Sequence, residues 1–179
     1  KNSRRLLRLV NQLLDFQKLE AGKKDLQLKP VNMVRFAHVC GDYFASACST
    51  KEIEFQVRMD GEQLNEHMLQ DQKHFIQGEI DALEKVAFNF LSNALKYTPE
   101  GGQIELGLKT TPEAVRIYIQ DSGPGISEEG QQKLFQVFSQ VDESTTRQYE
   151  GTGLGLALVK DLAEAMKGKV GVNSRPGEG

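Results

Sequence analysis

At 179 residues the chain is long enough for one domain and an appended element. Hydrophobic residues make up 39% and charged residues 26%, a globular balance that excludes collagen-like, disordered and low-complexity classes. The net charge of −3 gives no general pull toward nucleic acid or anionic lipid, and no apolar run of about 18 residues is present to span a membrane.

The chain begins within a helical pattern and reads as part of a longer protein, whose membrane anchor, if any, would lie upstream. Leu6, Leu9, Val10, Leu13, Phe16 and Leu19 recur at steps of three and four, which predicts a helix with an apolar seam over residues 1–20. Residues 1–30 carry a net charge of +5, read as a solvated helix face. Gly22 and Pro30 break the pattern, so the seam needs a partner from elsewhere. A second helical pattern runs from Val31 to about Ser49, with Val34, Ala37, His38 and Phe44 on its apolar side. Cys40 and Cys48 lie on it about 12 Å of rise apart, too far for a disulfide. That favours a reducing, cytoplasmic compartment, and the absence of a Cys/His cluster argues against zinc. Ile53, Phe55 and Val57 alternate with polar residues as a strand, and Asp60–Lys73 reads as a loop with a helical turn. Phe75 and Ile76 suggest a short strand before a helix from Ile80 to Tyr97, which Pro99, Gly101 and Gly102 terminate. Ile104–Leu108 and Val115–Ile119 form a hairpin. A short helix over Glu128–Phe135, a polar loop to Gly153, a helix over Leu154–Met166 and a strand over Lys169–Asn173 complete the chain. Helices first, then strands mixed with helices, predict an α+β two-layer sandwich.

Glycine is unevenly spread, with four of 17 in residues 1–100 and 13 in residues 101–179. Dense glycine marks turns or close approach of backbone to a ligand. Three segments carry chemistry. On the helix Ile80–Tyr97, Asn89, Asn93, Lys96 and Tyr97 share one face, opposite an apolar one. Two amide oxygens one turn apart suit a hard cation such as Mg²⁺, and Lys96 suits a phosphate. In VRIYIQDSGPGI (Val115–Ile126) a strand ends at Asp121, whose carboxylate can accept a hydrogen bond from an exocyclic amine. Gly123 and Gly125 there let backbone close over a flat ring. In GTGLGLALVK (Gly151–Lys160) three alternating glycines lead into a helix whose N–H groups suit a phosphate chain. This is neither a Walker loop nor the dinucleotide fingerprint, because the spacing fits neither. Each segment alone also reads as an ordinary solvated face or turn. In order, they offer a polar metal-binding face, an adenine acceptor and a phosphate cradle.

With those motifs in that order, the chain resembles the catalytic ATP-binding region of a sensor histidine kinase, on the GHKL or Bergerat ATP-binding fold. The family's N box is similar to NFLSNALKYT (Asn89–Thr98), its first glycine box to DSGPGI (Asp121–Ile126) and its second to GTGLGLALVK. The F box resembles LFQVFSQ, with Phe135 and Phe138, and NSRPGEG (Asn173–Gly179) resembles the penultimate strand and turn. RLVNQLLDFQKLEAGK (Arg8–Lys23) looks like the second helix of the dimerisation and phosphotransfer domain. The resemblance implies that residues 1–22 are part of that domain, 23–30 a linker, and 31–179 the catalytic domain without its last strand.

It further implies ATP and Mg²⁺ as cofactors. Asn89 and Asn93 would orient the metal on the triphosphate, Lys96 would contact phosphate and Tyr97 would line the nucleotide pocket. Asp121 would bind the adenine amino group, bordered by Gly123 and Gly125. Gly151, Gly153, Leu154 and Gly155 would form the hinge and phosphate cradle. Residues 136–150 would form a mobile lid from which Arg147 approaches the γ-phosphate, with Phe135 and Phe138 anchoring it. The implied partners are a second copy through the N-terminal helix, a domain bearing the acceptor histidine, and a response-regulator receiver domain. No nucleic acid or membrane contact by these residues is expected.

Related GHKL ATPases carry Glu where this chain has Asn89. A carboxylate can serve as general base on water and an amide cannot, so Asn89 argues for transfer to a separate acceptor over hydrolysis. The alternatives are a nucleotide-sensing scaffold that kept the pocket and a GHKL ATPase. His38, His67 and His74 lie in contexts unlike the family's H box, which places the acceptor histidine upstream of residue 1. The segment Asp60–Lys73 is longer than the family pattern, and Lys85 stands where Gln is frequent. The wording DESTTRQYEGTGLGLAL resembles hybrid kinases that carry a receiver domain.

Overall fold

The computed structural model describes residues 26–70, 73–137 and 153–179. The N-terminal helical pattern therefore lies outside the described residues. Strand β1 (Lys29–Asn32) opens the described chain and pairs antiparallel with β4 (Phe75–Gly78), Val31 opposite Ile76. The helical pattern read from Val31 thus starts two residues late. Asn32 takes an extended conformation and caps the following helix, its side chain accepting from the Arg35 N–H at 3.0 Å. Pro30 also favours extended backbone before it.

Helix α1 (Met33–Thr50) buries Val34, Ala37, Cys40, Phe44 and Cys48 on one stripe. His38 lies off that stripe, partly exposed and 3.5 Å from Asp42. Both cysteines are free and buried, and burial, with the Glu84 carboxylate adding to it, pushes the Cys40 thiol up to about 12. Strand β2 (Glu54–Met59) follows, then a two-residue β3 (Glu62–Gln63) and a one-turn helix α2 (Glu66–Leu69). Asn65 caps that turn through the Met68 N–H.

Helix α3 (Ile80–Tyr97) has the predicted bounds. β5 (Gln103–Thr110) and β6 (Val115–Asp121) form the expected hairpin, closed by Thr111 and Ala114. The four-stranded sheet has the order β3-β2-β5-β6, with β2 and β5 parallel and the other pairs antiparallel. Ile104, Leu106 and Leu108 of β5 point into the core beneath α1 and α3. Phe88 of α3 joins the helices, stacked on Tyr43 at 4.8 Å and edge-on to Phe44 at 5.2 Å. The other sheet face is polar, and there Tyr118 donates to Glu105 at 2.6 Å. The result is the expected α+β two-layer sandwich, a mixed sheet packed on helices.

Helix α4 (Glu128–Lys133) is capped by Ser127, and α5 (Gly155–Ala165) packs on α3. α5 and α3 share a second, smaller core of Ala82, Val86, Leu158, Val159 and Leu162. The strand expected over Lys169–Asn173 does not form: the segment is irregular and pairs with no strand among the described residues. A strand needs a neighbour's N–H and C=O ladder. Here Val170 turns onto the α5 core, and it is Ser174 and Gly177 that bond to the turn after β6.

Candidate functional site

The fold brings the three motif segments together along the C-terminal half of α3. Asn89 and Asn93 sit half-buried one turn apart on α3. The Asn89 Nδ2 donates to the Lys85 carbonyl at 2.7 Å, which commits that end of the amide, while Oδ1 lies toward Gly155. The Asn93 side chain hydrogen-bonds none of the described residues. Lys96 and Tyr97 occupy the last turn, where the Lys96 Nζ donates to the Tyr97 hydroxyl at 2.8 Å and lies 4.5 Å from its ring centre. A cation at a helix C-terminus is favoured by the helix dipole. Thr98 follows, fully buried, and its Oγ1 has no hydrogen-bond partner among the described residues.

The second segment is the turn after β6. Asp121 ends the strand opposite Ile104, and its Oδ1 accepts from the Gly123 N–H at 2.9 Å. This bond folds the turn back on the strand end. A side chain at Gly123 would approach the Tyr97 carbonyl to 3.4 Å, so the turn abuts the end of α3. Gly125 has φ +71, and a Cβ there would collide with the Arg175 carbonyl. Only glycine meets both conditions.

The third segment begins in the described chain at Gly153, with φ +67. Leu154 is buried, and Gly155 opens α5 against α3. A Cβ on Gly155 would lie 2.5 Å from the Asn89 Oδ1. The start of α5, whose first N–H groups have no partner within the helix, therefore adjoins the first asparagine of α3. Arg147, Gly151, Phe138 and most of the expected lid lie outside the described residues; Phe135 is half-buried just beyond α4.

Three further residues support this region. Gln131 of α4 donates through Nε2 to the carbonyls of Ile126 at 2.8 Å and Ser174 at 2.9 Å. The Ser174 Oγ accepts from the Ile126 N–H at 2.8 Å and donates to the Gly179 carbonyl at 2.6 Å. They clamp residues 174–179 to the Asp121–Ile126 turn. Lys51, at the end of α1, reaches the carbonyls ending α3. None of these three residues stood out in the sequence, because each acts on backbone far away in the chain.

Comparison with known proteins agrees with the geometry. The family model described as histidine kinase-, DNA gyrase B-, and HSP90-like ATPase matches residues 78–179. The sensor protein GacS of Pseudomonas syringae pv. syringae is 37% identical over 183 residues, covering all of this chain and 19% of GacS. Hybrid signal transduction histidine kinase D of Dictyostelium discoideum is 32% identical over 179 residues, covering 97% of this chain and 11% of the relative. The crystal structure of full-length ShkA in complex with AMPPNP superposes with a TM-score of 0.80 at 30% identity, over 97% of this chain and 34% of that one. The chain spans a fifth or less of the length of these two curated relatives. It belongs to the histidine kinase-, DNA gyrase B- and HSP90-like ATPase family, and over residues 78–179 it is similar to the ATP-binding domains of sensor histidine kinases.

Proposed function

We propose that this domain binds ATP with Mg²⁺ and directs its γ-phosphoryl group to a histidine on a dimerisation domain, for onward relay to a response-regulator aspartate. The observation that carries the reading is the convergence of three segments, with Gly155 against Asn89 and Gly123 against Tyr97. Asp121 would accept from the adenine amino group, with Gly123 and Gly125 against the base. Lys96 and the start of α5, through Gly151, Gly153, Leu154 and Gly155, would meet the phosphates. Arg147 would approach the γ-phosphate from the lid, and Tyr97 would flank the nucleotide.

Asn89 and Asn93 offer neutral amide oxygens, which fit Mg²⁺. Among the described residues no group of three or more His, Cys, Asp or Glu could hold a metal alone, so the ion would enter with the triphosphate. Bound there, it supplies neutralisation of phosphate charge. Asn89 has no basicity to activate water, so these residues bind, orient and neutralise, and the attacking nitrogen belongs to the acceptor. That nitrogen forms a bond to the γ-phosphorus as the bond to the β–γ bridging oxygen breaks, and ADP leaves.

Residues 1–22 would belong to the dimerisation domain, 23–30 to a linker and 31–179 to the catalytic domain, with a homodimer formed through the N-terminal helix. No described helix is long and apolar enough to cross a membrane, which is compatible with a catalytic domain in the cytoplasm. The name of the Dictyostelium relative as a hybrid kinase supports a receiver domain as partner. The reading is tested by mixing the chain with labelled ATP, Mg²⁺ and a separate dimerisation domain carrying the acceptor histidine. Labelled histidine is expected, and Asn93→Ala or Asp121→Asn should abolish it. Asp121→Asn should weaken ATP binding about tenfold or more, since an amine donor loses its charged acceptor. ATP binding without transfer to a competent acceptor would favour a nucleotide-sensing scaffold instead.

A further inference from the structure

The C-terminus of α3 carries Lys96 and Tyr97, and its last carbonyls need donors from outside the helix. One side chain supplies several. The Lys51 Nζ donates to the Leu95 carbonyl at 2.8 Å and the Thr98 carbonyl at 2.5 Å, and stands 3.5 Å from that of Lys96. Lys51 is half-buried and caps the end of α1, more than 40 residues earlier. Its corner is itself pinned. Glu52 turns the chain with φ +54 and its carbonyl accepts from the Gly101 N–H at 3.2 Å, while the Glu54 N–H donates to Gly102 at 2.9 Å.

An ammonium group suits this place for two reasons. It brings three donors and a full positive charge to the negative end of a helix dipole. Hydrogen bonds from a charged donor are about twice as strong as neutral ones. The turn it holds is the one that abuts Gly123, and through it Asp121.

We propose that Lys51 is a positioning residue for nucleotide binding. Its ammonium, through the terminal carbonyls of α3, keeps Lys96 and Tyr97 in register with Asp121. This inference rests on the reading of α3 and Asp121 as the nucleotide site. The test is titration of the chain with Mg²⁺–ATP for wild type, Lys51→Met, Lys51→Arg, Asp121→Asn and Ile53→Val, with thermal melts of each. Ile53 is a buried neighbour of the same corner, so its variant reports the effect of destabilisation alone. Lys51→Met is expected to raise the Kd about tenfold, Lys51→Arg to recover most of that, and Ile53→Val to leave it unchanged. Should Lys51→Met melt below the assay temperature, Lys51→Gln, which keeps an N–H donor, carries the same comparison. Wild-type affinity in folded Lys51→Met, beside lost affinity in Asp121→Asn, overturns the positioning role and leaves the nucleotide site standing. An equal loss in Ile53→Val at equal destabilisation overturns it as well. Absence of ATP binding by the wild-type chain removes the site itself, and this inference with it.

Discussion

At Gly155 a single hydrogen atom separates two motifs that lie 66 positions apart in the chain. A methyl group there would sit 2.5 Å from the Asn89 Oδ1, well inside contact distance. Asn89 cannot swing away freely, because its Nδ2 is held by the Lys85 carbonyl at 2.7 Å. Gly155→Ala should therefore displace the asparagine or push the start of α5 outward. The expected result is ATP binding weakened about tenfold in Mg²⁺, with a smaller loss in its absence, measured by titration with and without the metal. Equal losses in both conditions would mean that Asn89 stands apart from the metal. The importance of such residues was legible from sequence, since glycines beside a polar helix face already implied close approach. Lys51, Gln131 and Ser174 were not legible. Their targets are main-chain carbonyls or N–H groups, and those carry no side-chain signature in a sequence.

Among the elements, periodicity read well wherever one face is buried and the other wet. α3 is such a case: Leu83, Val86, Ala87, Leu91 and Ala94 are buried, and Pro99 stops the helix. In β5, Ile104, Leu106 and Leu108 alternate with Glu105, Gly107 and Lys109, so its hairpin with β6 followed. Two short strands, β1 and β3, escaped because so few residues carry no period, although Phe75 and Ile76 marked β4, which is as short as β1. β1 holds only Val31 as an apolar anchor beside Pro30, and the same valine fits a helix start. Within Asp60–Lys73 the expected helical turn is α2, whereas the two-residue β3 stayed hidden for the same reason.

What secures that segment is Asp60, whose carboxylate accepts from the Thr110 N–H at 2.8 Å and the Thr110 Oγ1 at 2.7 Å. These two bonds hold its carboxyl below the usual carboxylate range, with His74 and Lys109 adding to the effect. A carboxyl lowered in the folded state stabilises the fold above its unfolded pKa of about 3.9 and loses that contribution as pH falls through the lower folded value. Asp60 also has φ +50, which asparagine tolerates. Asp60→Asn should therefore be less stable than wild type at pH 7. The difference should shrink as pH drops below about 4, as read by urea denaturation across that range. A difference independent of pH would assign the loss to geometry and not to charge.

Across the whole molecule, the sandwich was legible because alternating strands and amphipathic helices leave few other ways to bury both faces. The division of its interior was not, because it depends on which helix meets which. The larger core joins α1, α3 and the sheet, whereas α5 is held on α3 by the smaller cluster around Leu158, Val159 and Leu162. α5 belongs to no strand ladder, yet its N-terminus carries Leu154 and Gly155 of the proposed phosphate cradle. An element bound mainly by one small cluster should open without unfolding the sheet. Native-state hydrogen exchange should then show α5 amides less protected than those of β5. Leu106, fully buried in β5, keeps its contacts in such an opening. Leu106→Ala should cost about 2–5 kcal/mol, appearing as faster exchange in β5, with α5 unchanged so long as its local opening remains the easier route. Leu162→Ala should accelerate both, because its contacts are lost in either event. Saturating ATP should raise protection in α5, since a ligand that binds only the closed form opposes the opening. Equal protection of α5 and β5 in the wild type, with both responding alike to Leu106→Ala, would instead make the two cores one cooperative unit.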